Sequence, residues 1–383
     1  MKRRALLRAG CAGCIALAGF ARGQDAWQLP PRFARPDPAS DEGGLRASMD
    51  RAEASLRRSP FRIRDASLEG TVQGIACRLG EAHCPDIRVY LMHTPYFNAS
   101  MAPNGMMQVW SGLMLRADNE AQLAAVLGHE IGHYLQRHSL ERLRDAKARS
   151  AFAQFAGMFG AVGLVAGFGA VVGMYAYSRD QESEADRIGA LLMHGAGYDV
   201  GEAAKVWSNL LLEAQAKPNG SSSNPLFATH PPPEDRETVL RDLTARYPGG
   251  RSEARSWQSS LAPFLREWLN DEIKRGQHEE SLAFLSRAVT RSAGRAEYLF
   301  ARGEVYRLRA RESDFDQDSA LEDFRAAIAA GREPPQTHRS LGLIYRTRRD
   351  AAAAQASFAR YLELAPQAPD AAMVRAYIEE LRT

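Results

Sequence analysis

Two histidines and a glutamate stand together in His129-Glu130-Ile131-Gly132-His133. The run before it, Ala121-Gln-Leu-Ala-Ala-Val-Leu127, has helical apolar spacing that leads straight into the motif. On a helix His129 and His133 lie one turn apart on one face, where two imidazoles can hold one Zn²⁺. Glu130 sits about 100° round the helix, so it can act on a water at the metal without being a ligand. A catalytic zinc needs a third protein ligand and an open position. One subclass of such proteins carries a glycine three residues and a third histidine six residues past the second histidine. Gln136 and Ser139 hold those places here and exclude that subclass. His138 is about 140° off the face of His133 and reads as a contact to the surface or to a second helix. Glu141, two turns along the same helix, cannot reach the metal.

A second helix must therefore supply the third ligand. Ser178-Arg-Asp-Gln-Glu182-Ser-Glu184-Ala-Asp186 is the candidate. Glu182 and Asp186 are four residues apart and share a face, whereas Glu184 points away. Glu182 is expected as the third ligand. Asp186 is expected to accept a hydrogen bond from a ligating imidazole and fix its tautomer. The plainer alternative is a charged, solvated helix face.

The pairing of Leu127-Gly-His129-Glu-Ile-Gly-His133 with Ser178-Arg179-x-x-Glu182-x-x-Ala185-Asp186 resembles the gluzincin peptidases, which include the CAAX prenyl endopeptidases and the HtpX-type heat-shock proteases. With a leader and C-terminal repeats, the chain is similar to the branch of β-barrel assembly-enhancing proteases of Gram-negative bacteria. The resemblance implies zinc ligands at His129, His133 and Glu182, one Zn²⁺ per chain, and a catalytic base at Glu130. It implies a proton donor at Asp186, where spacing alone gives an orienting role; both readings stand. It also implies that His230, in Phe227-Ala-Thr-His230-Pro-Pro-Pro233, can occupy the open position and hold the enzyme latent. The flanking Lys217–Pro225 stretch reads as a flexible loop and the prolines as a stiff far side. Protein substrates, outer-membrane β-barrel precursors and the barrel-assembly machinery are the partners implied. A periplasmic chaperone or assembly adaptor with a latent or structural zinc is the rival from another class. A general quality-control protease is a second.

These residues need elements to position them. Residues 24–45, rich in Pro and Arg, read as a draped arm, and helical periodicity runs from Leu45 to Leu79. Ile87–His93 alternates as a strand, Met106–Ser111 reads as a second, and Pro103-Asn104-Gly105 signals a turn before it. The Met106–Ser111 strand is the expected edge for an extended substrate. Residues 151–177 carry no charge. A single crossing there would part His129 and His133 from Glu182, and two crossings need about 40 apolar residues. A buried or membrane-surface helical hairpin is expected, with peripheral membrane contact open. The expected fold class is α+β, mostly α: a gluzincin-type metallopeptidase domain with a small β-sheet over 24–255, then helical tetratricopeptide repeats over 262–383. Offsets of Gly303, Tyr306, Ala320 and Phe324, and of Gly342, Tyr345, Ala354 and Phe358, place units near 262–295, 296–334 and 335–368, with a capping helix at 369–382.

Residues 1–23 read as a signal peptide. Lys2-Arg3-Arg4 precedes an apolar run too short for an ordinary span, with small residues before Gln24. Arg3-Arg4 also fits a twin-arginine route, and Arg8 before Cys11 speaks against a lipobox. Export to the periplasm follows. There Cys77 and Cys84, closing a short loop, read as a disulfide; the metal alternative has only His83 nearby. The 49 Lys and Arg exceed the 46 Asp and Glu only through that leader, which holds five basic residues and no acid. The remainder is slightly acidic and has no call on nucleic acid. Hydrophobic content of 45% and charged content of 25% are those of a globular chain.

Overall fold

The structure is a computed structural model, and it describes residues 27–148, 177–217, 225–230, 236–291, 296–309 and 314–382. The expected leader lies outside these residues, and so does the apolar stretch 151–177 apart from Tyr177. No described helix is long and apolar enough to cross a membrane.

The periodicity from Leu45 to Leu79 resolves into two helices, α1 (Asp41–Leu56) and α2 (Ala66–Gly80). Between them lies Pro60, which lacks a backbone donor, and α2 begins where Asp65 accepts from the Leu68 N–H. A 3-10 turn, Glu81–Asp86, follows α2, and the predicted Cys77–Cys84 disulfide closes that corner. The sheet has three strands, β1 (Arg88–Met92), β2 (Ala99–Met101) and β3 (Met106–Trp110), in the order β1-β3-β2. β3 runs parallel to β1 and antiparallel to β2. Three residues are too few for a legible alternation, which is why β2 escapes the sequence. Pro103-Asn104-Gly105 is the β2–β3 turn. Gly105 has φ +90°, and a Cβ there would stand 1.9 Å from the Asp86 carbonyl oxygen, so only glycine fits.

This topology corrects one expectation. β3 is the middle strand, not an edge; both of its rows of backbone groups are already bonded, so it cannot receive a substrate. Of the true edges, the outer side of β1 is occupied, with Ile63 N–H donating to Leu91 O at 2.9 Å and His93 N–H to Phe61 O at 2.7 Å. The outer side of β2 has no backbone strand partner among the described residues.

After the sheet come α3 (Ser111–Arg116) and α4 (Glu120–Leu135). Asn119 caps α4 by accepting from the Gln122 N–H, and every residue of α4 is buried. Around it lie α5 (His138–Ala148), α6 (Arg179–Gly195), α7 (Gly201–Gln215), α8 (Pro225–Thr229), α9 (Arg236–Arg246) and α10 (Ala254–Leu261). A capping box of Ser178 and Gln181 starts α6. It can cross α4 closely because the contact is made of glycine. A Cβ on Gly128 would meet the Gly189 carbonyl oxygen at 3.1 Å.

Three helix pairs follow: α11 (Leu265–Lys274) with α12 (His278–Arg291), α13 (Ala296–Arg309) with α14 (Asp314–Ala330), and α15 (Gln336–Thr347) with α16 (Ala351–Leu364), then α17 (Ala371–Glu380). In the second and third pairs a glycine lies under a phenylalanine of the partner helix, Gly303 under Phe324 and Gly342 under Phe358. One apolar core runs from Leu68 through Leu91, Leu127 and Trp207 into Trp268, Phe284 and Val305. Arg116 fastens the same junction. Its buried guanidinium donates to Glu213 of α7 at 2.6 Å and to Glu272 of α11 at 2.8 Å. The architecture is the mostly helical α+β class expected, with one small sheet.

Candidate metal centre

The crossing of α4 and α6 brings the predicted ligands together. His129 Nε2 and His133 Nε2 stand 3.1 Å apart. Glu182 lies across from them, Oε2 at 3.4 Å from His129 Nε2 and Oε1 at 3.3 Å from His133 Nε2. His230, just past α8, completes the group with Nδ1 at 3.3 Å from His129 Nε2 and 2.9 Å from Glu182 Oε1. All four side chains are buried. A tetrahedral zinc with bonds of about 2.0–2.1 Å has ligand atoms about 3.3 Å apart, and these spacings match it. The donor chemistry fits too: imidazole nitrogens and a carboxylate are zinc's usual company. The Oε2 of Glu182 and the Oε1 of Glu130 are buried without a hydrogen bond, and a buried orphan oxygen needs a cation or a water.

Each histidine is oriented from behind. Asp186 accepts from His129 Nδ1–H at 2.8 Å, which leaves Nε2 as the free lone pair. Arg236 in turn donates to Asp186 at 2.6 Å, and its guanidinium lies 3.5 Å from the centroid of the Trp207 ring. His133 Nδ1 is 2.8 Å from His138 Nδ1. With Nε2 of His133 aimed at the cluster, its Nδ1–H donates to His138, whose Nε2 lies 3.3 Å from Glu184. Tyr177 stacks on His133 with ring centroids 3.8 Å apart.

The electrostatics describe a buried anion among imidazoles. Burial favours neutral Glu182, yet His230 and His129 drive its pKa far below the carboxylate range. Burial opposes charging His129, but Glu182 and Asp186 outweigh it and hold this imidazole up at about 9, so a metal at Nε2 displaces a proton there. His133 goes the other way, pushed well down by burial that Glu182 does not offset. Glu130 is raised, first by burial. Its carboxylate lies 3.6 Å from His230 Nε2 and takes a backbone hydrogen bond at Met101 of β2.

The expected residues thus occupy one place. His129, His133, Glu182 and His230 present donor atoms that all lie within 4.8 Å of one another, with Glu130 beside them and Asp186 behind. Glu184 points away from the cluster, as its helical position requires, and holds His138 instead. Glu141 stays clear and accepts from Gln181. Sequence reasoning missed Arg236, Trp207 and Tyr177, which arrive from separate segments with no periodic signal. It also left His138 as a general contact, although an imidazole five residues past His133 is close enough on the chain to fold back onto it.

Residues 62–244 match peptidase family M48. The beta-barrel assembly-enhancing protease of Escherichia coli (strain K12) is 32% identical over 206 residues, 49% of this chain and 41% of that one. The beta-barrel assembly-enhancing protease of Yersinia pestis is 31% identical over 167 residues, 40% of this chain and 33% of that one. The mitochondrial metalloendopeptidase OMA1 of Arabidopsis thaliana is 32% identical over 152 residues, 40% of this chain and 30% of that one. The chain spans about two-fifths or less of the length of these relatives. Both ligand helices, His230 and Arg236 lie inside the stretch 62–244 that is similar to peptidase family M48.

Proposed function

We propose that this chain is an exported zinc endopeptidase that acts on misfolded or stalled proteins in the periplasm, outer-membrane β-barrel precursors among them. The observation that carries this reading is the buried convergence of His129, His133 and Glu182 with Glu130 alongside. Zinc held there supplies a Lewis acid for the scissile carbonyl and makes water more acidic. The Glu130 carboxylate takes a proton from the attacking water and delivers it to the leaving amine. Asp186 and Arg236 hold His129, and His138 holds His133, so that both Nε2 atoms stay aimed at one point. Asp186 faces Nδ1, on the other side of the ring, which favours its orienting role over proton donation.

An extended substrate joins the open side of β2, whose Met101 already touches Glu130. Strand addition suits unfolded barrel precursors, whose strand edges are unpaired. His230 supplies a fourth donor, which closes the open position and keeps the enzyme latent. The disulfide and the basic, apolar leader support export to an oxidising compartment. We assign 24–255 to the metallopeptidase domain and 262–383 to tetratricopeptide units. The repeated placing of glycine under phenylalanine supports that assignment. The repeat surface would dock the barrel-assembly machinery or its clients, a reading supported by the name of the Escherichia coli relative.

His230 among the ligands also favours the second reading, a chaperone or adaptor whose site stays shut. Zinc content and cleavage of denatured casein by wild type and Glu130→Gln separate the two. The variant should keep one zinc and its melting temperature and lose cleavage by about 10²-fold or more. Equal cleavage by both proteins refutes the role of Glu130. Zinc without cleavage by wild type or His230→Ala leaves the adaptor.

A further inference from the structure

A second concave site lies on the flank of α4 that Tyr134 faces. It is a cavity of about 590 Å³ with five guanidinium groups in its wall, from Arg32, Arg35, Arg46, Arg57 and Arg88. Three carboxylates share it, Asp50, Glu53 and Asp86. Each of these is already engaged. Asp86 accepts two bonds of 2.7 Å from Arg32. Glu53 accepts from Arg57 at 2.8 Å and from Arg88 at 2.7 and 2.6 Å. Asp50 accepts from the Asn104 side chain at 2.9 Å. Neither Arg35 nor Arg46 forms an ion pair or side-chain hydrogen bond with a described residue, and the Tyr134 hydroxyl makes no hydrogen bond with one either. Two cations and a phenol donor thus stand without a direct polar contact in a cavity of ligand size, Arg46 acting on Asp86 only at a distance. A carboxylate is the chemistry that answers them.

The position of the cavity says where such carboxylates come from. A smaller crevice, lined by Met101, Pro103 and His133 among others, shares Phe33 and Tyr134 with the arginine cavity. The two cavities are therefore neighbours, and the smaller one touches His133 of the metal centre and Met101 at the end of β2. We propose that the arginine cavity is a substrate subsite for acidic side chains. A peptide laid along β2 leaves past Met101 and Pro103 and delivers its carboxylates to Arg35 and Arg46. This rests on the peptidase reading of the metal centre, and it adds a substrate class: polypeptides with an acidic segment flanking the scissile bond.

The test uses the full chain carrying Glu130→Gln, so that bound peptide is not cut. Two fluorescein-labelled dodecapeptides differ only in four Glu against four Gln. Anisotropy at about 0.1 M salt should show the acidic peptide binding about tenfold tighter, the worth of one charge-assisted bond. Adding Arg35→Gln and Arg46→Gln should bring that ratio close to one at an unchanged melting temperature. A ratio near one before those changes, or a tenfold ratio that survives them, overturns the proposal. Inorganic phosphate and phosphatidylglycerol vesicles serve as competing probes. Arginine-dependent binding of either, without a preference for the acidic peptide, makes the cavity an anion or headgroup site and also overturns it. Casein cleavage by chains with Glu130 intact keeps the two readings apart. Cleavage without the peptide preference sinks the subsite alone. The preference without cleavage in wild type or His230→Ala sinks the peptidase reading and leaves an acidic-peptide site.

Discussion

Gly132 lies so close to Ala185 that a Cβ on the glycine would stand 3.0 Å from the alanine's carbonyl oxygen and 3.1 Å from its Cα. One turn away, a Cβ on Gly189 would stand 2.9 Å from the His129 nitrogen. This contact lets α6 deliver Glu182 to the two histidines. Gly132→Val should force the helices apart and cost about 1–3 kcal/mol of stability. It should lower zinc retention after dialysis more than it lowers helical content. Full zinc occupancy in a folded variant would show that the spacing is not set here.

The residues behind the two imidazoles make a second prediction. Asp186→Ala and His138→Leu should each weaken zinc binding by about 10–100-fold in competition with a chelator. His138→Asn should recover part of the loss, since an amide can still accept from His133. If Asp186 were the proton donor instead, Asp186→Ala would keep wild-type zinc affinity and lose only kcat. Chelator titration and kinetics on one protein sample decide between these.

His230 touches both Glu182 and the space next to Glu130. His230→Ala should retain zinc through the remaining three ligands and cleave denatured casein faster than wild type. Unchanged or slower cleavage at full zinc occupancy counts against a blocking role.

The junction between α3, α7 and α11 should show in acid. Burial raises the pKa of Glu272, but Arg116 and Arg275 hold it down at about 2, below its ordinary 4.5. A carboxyl lowered in this way contributes stability that is complete above its unfolded pKa. That contribution drains away as pH falls from about 4.5 towards 2. Urea midpoints measured from pH 7 down to pH 3 should fall over the lower part of that range. Glu272→Gln should cost about 3 kcal/mol at pH 7 and flatten the acid limb. A limb as steep as wild type would place the acid sensitivity elsewhere.

Much of the site could be read before folding. His129, Glu130 and His133 share one short helical run, and Glu182 and Asp186 another. The 3.6-residue period alone says which of them face the same way. The strand pair Ile87–His93 and Met106–Ser111 and the Pro103–Gly105 turn were legible for the same local reason. What escaped has no local pattern. β2 is too short to alternate visibly, and without it β3 reads as an edge. Arg236 reaches Asp186 across 50 residues of chain, and Trp207 packs under it from yet another helix.

By itself the sequence determined which chemical groups share a helix face, because that depends only on neighbours within a turn or two. The tertiary structure alone decided that α6 crosses α4 at glycines and that His230 enters the cluster through Nδ1. It also decided that the strand edge beside Glu130 belongs to β2. Those outcomes are set by contacts between segments far apart in the chain, where packing and backbone pairing choose the partner.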